Sequence, residues 1–179
     1  KLFQFPGFYL SKLTMRNYPS NVATHLVGYL GEVNLRKTKE DPYYTKGDLT
    51  GVSGVEAAYE KQLRGTKGMA IKLVDVHNRD QGNFQEGRFD TLPISGSTLT
   101  STIDIELQEY GEQLMENKIG AIVAIETSSG EILALVSAPT YNPNLLIGRK
   151  RSENYKIIAE DKNKPLFNRA LQGTYPPGS

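Results

Sequence analysis

The sequence predicts an α+β fold made of two consecutive parts, and three features support this prediction. The 179 residues are enough for one domain or two small ones with a real hydrophobic core. Over the first hundred residues, short apolar runs alternate with turn signals, and most of the 17 glycines lie there. From about residue 99 the pattern becomes denser and more regular. We therefore expect a boundary near residues 93–96, dividing the chain into residues 1–95 and 96–179.

The composition argues against several functional classes. The 21 basic and 20 acidic residues leave a net charge of +1, whereas nucleic-acid binding needs a dense cationic surface. The tight basic cluster at residues 149–151 is expected to be a solvated loop rather than a phosphate site. The absence of cysteine excludes disulfides and thiol catalysis. No apolar run approaches the ~20 residues of a membrane helix, and no cofactor is expected.

The first clear helix is predicted over residues 54–64. Ser53 and Glu56 have the spacing of a capping box, in which a hydroxyl and a carboxylate each satisfy a free backbone donor. Apolar residues recur every four positions and predict one buried face: Val55, Tyr59 and Leu63. Gly65 then provides a C-terminal stop.

Two further segments have strand character. Residues 69–76 are rich in β-formers, and residues 78–87 after them are typical of a polar turn or exposed loop. Residues 97–103 alternate between apolar and threonine positions, which predicts a second strand.

A second helix is predicted directly after this strand. Asp104 is a suitable N-cap, and the helix is expected to end near Lys118. Its apolar stripe is predicted from residues three and four positions apart: Leu107, Tyr110 and Leu114. Gly111 lies inside the helix, where glycine costs roughly 1 kcal/mol relative to alanine, so close packing against a neighbour is expected there.

The strongest hairpin signal covers residues 121–126 and 132–136. The four-residue loop between these apolar runs ends in Gly130, which can supply a positive φ. Strands that are apolar on both faces are normally covered on both faces. Too little chain follows to supply that cover, so we expect an exposed apolar patch and self-association.

Few residues of the first half are candidates for chemistry. His25 and His77 have no second ligand at metal spacing, and His25 is expected to be a packed strand residue. Glu56 and Glu60 lie on adjacent helical turns and resemble a carboxylate pair. A capping role for Glu56 and a solvated face for Glu60 explain both without catalysis.

The chain ends in the segment Y-P-P-G-S at residues 175–179. Two prolines favour an extended approach, and the glycine permits a sharp change of direction. Ser179 then stands where a helix can begin, and backbone donors there favour a developing negative charge. On residue types alone, a plain turn and a nucleophile position both remain open.

Five ordered blocks resemble the class B penicillin-binding proteins. Residues 51–65 resemble the signature G-x-x-G-V-E-x-x-Y-E-x-x-L-x-G, and residues 102–108 resemble T-[IL]-D-x-x-L-Q. The other three blocks resemble the first transpeptidase hairpin with its following loop and the approach to the active-site serine: residues 120–137, 141–144 and 165–179. The ending P-L-x-N-R-A-x-x-G-x-Y-P-P-G-S is most similar to the elongation-type members, the penicillin-binding protein 2 group.

The resemblance implies an architecture. Residues 1–95 would be the pedestal, or dimerisation domain, lacking its upstream part, and residues 96–179 the incomplete N-terminal portion of a transpeptidase domain. In the family this domain cross-links peptidoglycan stem peptides, and β-lactams acylate the same serine. The parent protein would be anchored by one upstream membrane helix and would work at the periplasmic face of the inner membrane.

The resemblance also places Ser179 at the nucleophile position. In the family's S-x-x-K motif, a lysine one helical turn later accepts the hydroxyl proton. That lysine would lie beyond residue 179, so we expect the chain itself to be inactive.

Three functional classes remain open at this stage. The first is a cell-wall transpeptidase. The second is an interaction module, because a pedestal of this family touches membrane and scaffold proteins of the elongation machinery. The exposed hairpin also makes this chain a candidate homo-oligomer. The third, a β-lactam sensor or β-lactamase, shares the serine chemistry, although the pedestal-like first half argues against a lone β-lactamase.

Overall fold

The computed structural model describes residues 16–176. Within this range the helices are α1 (Thr24–Val27), α2 (Leu35–Glu40), α3 (Gly54–Ala58), α4 (Glu60–Leu63), α5 (Ile105–Leu114), α6 (Arg151–Glu160) and α7 (Arg169–Gln172). The strands are β1 (Leu30–Glu32), β2 (Leu49–Gly51), β3 (Lys72–Val74), β4 (Asp80–Asn83), β5 (Gly120–Ile125) and β6 (Ile132–Ala138). They form three antiparallel pairs, β1–β2, β3–β4 and β5–β6. The α+β prediction is confirmed.

The helix predicted over residues 54–64 is divided into α3 and α4. The interruption is at Tyr59, whose φ of −112° and ψ of 24° are not helical. Tyr59 is exposed, whereas Glu56 is only 6% exposed, so the buried side of this segment does not follow its apolar residues. Gly65 has a φ of +66° and follows Arg64, the C-cap of α4, which confirms the predicted stop.

The predicted capping box does not form. Ser53 is the N-cap of α3, but its side chain makes no capping hydrogen bond. The Glu56 carboxylate instead pairs with Arg16, with Nε and Oε1 2.8 Å apart. A tertiary ion pair has therefore replaced the local contact that the spacing indicates.

The segment after α4 forms a hairpin arm, which we define as β3 and β4 with the turn between them. Strand β3 lies within the segment predicted to be β-rich, but the predicted polar turn contains β4. Every residue of both strands is exposed. The polar segment D-Q-G-N has low β-propensity, but its main chain pairs with β3 and so forms a strand. Context has overridden the intrinsic preference of these residues.

The strand predicted over residues 97–103 is absent from the described structure. Its first residue, Ser97, donates its N–H to the Gln62 carbonyl at 2.8 Å, which ties it to the end of α4. At its other end, only the Thr102 hydroxyl and the Asp104 N–H reach the edge of β6, at 2.8 and 2.9 Å. A strand ladder needs alternating main-chain pairs along its length, and this segment does not make them.

Helix α5 begins where predicted and ends earlier. Asp104 caps it by accepting hydrogen bonds from the N–H groups of Glu106 and Leu107, and the helix ends at Leu114 rather than near Lys118. The predicted stripe is exposed: Leu107, Tyr110 and Leu114. The buried side carries Gln108 and Gly111 instead. At Gly111 the helix lies so near β6 that an added β-carbon would be 2.8 Å from Val136 Cγ2. The expected close packing at Gly111 is confirmed.

The predicted hairpin is confirmed as β5 and β6. Val123 pairs with Leu135, and Gly130 has a φ of +78° in the connecting loop. Residues 134–138 of β6 are buried, whereas alternate residues of β5 are exposed. One apolar face of the hairpin is thus left open within the described part of the chain.

The last part of the fold packs across the first. Arg151, predicted to lie in a loop, begins α6 and pairs with Glu32 of β1 at 3.0 Å. A small core joins both parts of the chain: Tyr29, Tyr141, Leu146, Ile158 and Leu166. None of the helices described here has the length and apolar character needed to cross a bilayer.

Candidate active site

The edge of β6 that faces away from β5 is bound by a side chain of α5. Gln108 is 1% exposed. Its Oε1 accepts the Leu135 N–H at 2.7 Å, and its Nε2 donates to the Leu135 carbonyl at 3.1 Å. Both backbone groups are therefore satisfied without a further strand.

Two contacts attach this framework to the beginning of the described chain. Glu112 Oε1 accepts the Gln108 Nε2–H and also the Ala23 N–H, each at 2.8 Å. The Asn144 side chain makes two hydrogen bonds to the main chain of Tyr18. Its Oδ1 accepts the Tyr18 N–H at 3.3 Å, and its Nδ2 donates to the Tyr18 carbonyl at 2.9 Å. The beginning of the described chain is thus fixed to α5 through Ala23 and to the segment after β6 through Tyr18.

Farther along β6, Ser137 binds the beginning of α7. Its buried hydroxyl accepts the Arg169 N–H at 2.9 Å and donates to the Phe167 carbonyl at 3.3 Å. Asn168 caps the same helix by accepting two further N–H groups, from residues 170 and 171, at 3.1 and 3.2 Å. The first turn of α7 is therefore fixed against the sheet.

The Arg169 side chain turns back onto the loop before α7. Its guanidinium donates to the carbonyls of Asn163, Lys164 and Phe167 at 2.5, 3.1 and 3.3 Å. After α7, the Gly173 N–H donates to the Arg169 carbonyl at 3.2 Å. Residues 177–179 lie outside the described residues, so the place of Ser179 in the structure stays a prediction.

His25 lies at the contact between α1 and the loop after β6. It is buried, as expected, but belongs to helix α1 rather than to a strand. Its ring meets the Tyr141 ring edge-on, with centroids 5.5 Å apart. Burial lowers the pKa of His25 and raises the pKa of Tyr141 to about 12, so both side chains stay neutral near pH 7. In residues 16–176, no three acidic or histidine side chains meet closely enough to hold a metal.

Two segments of the chain match one family. Residues 1–101 match the Penicillin-binding Protein dimerisation domain, and residues 120–179 match the Penicillin binding protein transpeptidase domain. The chain belongs to the penicillin-binding proteins.

Individual penicillin-binding proteins agree with this assignment. The peptidoglycan D,D-transpeptidase MrdA of Acinetobacter baumannii is 38% identical over 99% of this chain. The structure of Pseudomonas aeruginosa PBP2 in complex with WCK 5153 is 36% identical over 92% of the chain, with a TM-score of 0.73. That of Helicobacter pylori PBP2 in complex with MreC is 31% identical over 94%, with a TM-score of 0.76. The resemblance to the penicillin-binding protein 2 group is confirmed.

The chain spans only part of these relatives. It covers 26% of the A. baumannii protein, 32% of the P. aeruginosa chain and 31% of the H. pylori chain.

In this penicillin-binding protein, Glu56 and Glu60 are fully engaged with donors. The Tyr18 hydroxyl is 3.5 Å from Glu56, and burial, then the charge of this carboxylate, raises the pKa of Tyr18 to about 12. Glu60 accepts hydrogen bonds from the Lys37 ammonium at 2.7 Å and the Thr50 hydroxyl at 2.6 Å. The prediction of a solvated Glu60 was wrong, and both carboxylates are structural rather than an acid–base pair.

Burial and hydrogen bonding oppose each other at Glu60. Burial on its own raises the pKa of this carboxyl, but hydrogen bonds from Lys37, Thr50 and Tyr44 outweigh that effect. The net result is a pKa below the ordinary value, so Glu60 is a carboxylate at neutral pH.

Sequence reasoning missed three residues that organise the candidate site. Gln108 had a usable signal, since it lies one helical turn before Gly111 and so shares its buried face. Ser137 directly follows an apolar run, and both Ser137 and Arg169 lie in blocks assigned only by resemblance. Their roles come from contacts that no local pattern specifies.

Proposed function

We propose that this chain is part of a serine-type D,D-transpeptidase that cross-links peptidoglycan stem peptides. The observation that carries the proposal is the order of two penicillin-binding protein domains in one chain whose relatives include MrdA. The proposal divides the chain into a pedestal, residues 1–95, and the beginning of the catalytic domain, residues 96–179.

Ser179 is the proposed nucleophile. A serine hydroxyl is a poor nucleophile unless a nearby base accepts its proton. In the S-x-x-K arrangement that base is a lysine on the next helical turn. Residues 1–179 contain the serine but not this lysine, so the chain alone is expected to be inert while the full-length protein is acylated by β-lactams.

A fluorescent penicillin tests this proposal. The full-length protein should be labelled covalently at Ser179, and its Ser179→Ala variant should not. The 179-residue chain should remain unlabelled after denaturing electrophoresis. Equal labelling of the full-length protein and its Ser179→Ala variant would refute the assignment.

The second candidate function is an interaction module at the extracytoplasmic face of the inner membrane. One observation favours it: apolar side chains of the hairpin arm and the segment after it are exposed, with Val76 at 95% and Leu92 at 87%. The H. pylori relative is known in complex with MreC. We propose a scaffold protein of this kind, and a membrane protein of the elongation machinery, as partners of a parent anchored by one upstream helix.

A pull-down separates this function from the first. The immobilised chain should retain the MreC homologue of its own organism, and Val76→Glu or Leu92→Glu should reduce that retention. Leu35→Glu is the matched control, because Leu35 is also exposed but lies on α2. Equal retention by all the variants would place any binding elsewhere.

A further inference from the structure

Arg169 is a buried charge without an acidic partner among residues 16–176. Its side chain belongs to a residue only 8% exposed, and none of the ion pairs described includes it. Buried arginines are rare unless paired. Here the charge is surrounded by the three carbonyl dipoles of residues 163, 164 and 167. The planar guanidinium can serve several acceptors at once because it presents five N–H donors in a fixed geometry.

These contacts hold a loop that would not keep its shape on its own. Lys164 has a φ of +50°, a left-handed conformation that is unfavourable for a residue other than glycine. Arg169 binds the carbonyl of this residue and of its neighbours Asn163 and Phe167. The Ser137 hydroxyl binds the Phe167 carbonyl from the opposite element, β6. One side chain from α7 and one from β6 therefore close the same loop.

The same two residues set the direction of the chain that follows. The Arg169 N–H is bound to Ser137, and the Arg169 carbonyl accepts the Gly173 N–H. A β-carbon at Gly173 would lie 2.5 Å from that carbonyl oxygen and 2.7 Å from Tyr175 Cε2. The hydrogen bonds thus run from Ser137 of β6 through Arg169 to Gly173, six residues before Ser179.

We propose that Arg169 and Ser137 are positioning residues that fix the approach of the chain to Ser179 and so set its rate of acylation. This inference rests on the proposed function of Ser179. Neither residue is expected to touch the substrate. A misplacement of about 1 Å in a reacting group can cost roughly 100-fold in rate, so loosening this framework should slow the chemical step.

The test uses the full-length protein and a fluorescent penicillin at several concentrations, which separates initial binding from the acylation rate constant. Arg169→Ala should lower the acylation rate constant about 10- to 100-fold and leave the initial binding constant unchanged. Arg169→Lys should remain slow, because a single ammonium group cannot reach three carbonyls in this arrangement. A role of charge alone predicts recovery with lysine.

Two further variants keep the test decisive. Ser137→Ala removes the acceptor of the Arg169 N–H with little change in volume, and it should also slow acylation. This variant therefore still tests the proposal if Arg169→Ala fails to fold. Arg151→Ala is the matched control, since it loses the pair with Glu32 but has no contact with α7 among those described.

The outcomes distinguish the two proposals. Folded Arg169→Ala and Ser137→Ala proteins that acylate at the wild-type rate would overturn the positioning role while leaving Ser179 as the nucleophile. An equal loss in Arg151→Ala would also overturn it. Wild-type protein that labels no more than Ser179→Ala would overturn the proposed function itself.

Discussion

Gln108 and Leu135 are joined by two hydrogen bonds, so a side-chain amide occupies the place of a neighbouring strand at the edge of β6. Both residues are buried, and the amide supplies one acceptor and one donor, as a strand residue would. Gln108 also donates to Glu112, which in turn accepts the Ala23 N–H. Loss of the amide would therefore affect β6 and its link to α1 together.

Replacing Gln108 by Leu should destabilise the chain by about 1–3 kcal/mol, because the N–H and carbonyl of Leu135 would be buried without partners. Urea unfolding followed by circular dichroism measures the loss. Gln113→Leu is the matched control on the exposed side of α5, where a change within about 0.5 kcal/mol is expected. Equal losses in the two variants would contradict the special role of Gln108.

Gly111 and Val136 provide a second prediction. The new methyl group of Gly111→Ala would lie 2.8 Å from Val136 Cγ2, so overpacking should cost up to about 3 kcal/mol and outweigh the roughly 1 kcal/mol gained in helix propensity. In a Val136→Ala background this clash is removed, and the same change should become stabilising. A double-mutant cycle by urea unfolding checks the reversal of sign. Additive effects would show that the contact does not limit packing.

The depressed pKa of Glu60 predicts a pH dependence of stability. Because the folded pKa lies below the ordinary value of 4.5, the unfolded chain takes up the proton first as the pH falls. The stabilisation from ionised Glu60 is fully present above about pH 5 and is lost as the pH falls through 4.5 toward the folded pKa. The free energies of unfolding of the wild type and Glu60→Gln should therefore converge as the pH falls from 6 to 3.

The control for this titration is Glu116→Gln, which changes an exposed carboxylate outside the Glu60 cluster. Its free energy of unfolding should keep the pH dependence of the wild type between pH 6 and 3, because Glu60 and its donors are unchanged. Parallel curves for Glu60→Gln as well would show that Glu60 does not contribute to the acid sensitivity.

The parts of the fold that sequence predicts correctly are those determined by neighbouring residues. The β5–β6 hairpin follows from two apolar runs around a short loop ending in Gly130, and the start of α5 follows from the Asp104 cap. The close packing at Gly111 could be predicted because glycine inside a helix lowers stability unless it allows a neighbouring element to approach closely. Each of these signals acts within a few residues.

The misinterpreted parts depend on distant partners. Glu56 has the spacing of a capping residue, but its carboxylate pairs with Arg16, forty positions earlier, and the capping contacts with Ser53 do not form. The buried side of α5 is decided by where β6 lies, so its apolar stripe gave the wrong face. The candidate site shares this limit, since Ser137 and Arg169 meet only after α7 packs on the sheet.

The exposed apolar side chains of the second half lead to a final prediction, the self-association of this chain. They lie on the solvent side of α5 and on β5: Leu107, Tyr110, Leu114, Val123 and Ile125. Exposed apolar faces are frequent sites of protein–protein contact, so two copies should bury these side chains against each other. Light scattering should show a mass that rises with concentration, and Leu114→Glu or Val123→Glu should lower it, whereas Leu35→Glu on α2 should not. A constant monomer mass at the highest soluble concentration would refute this prediction and show that the chain is stable with these side chains exposed to solvent.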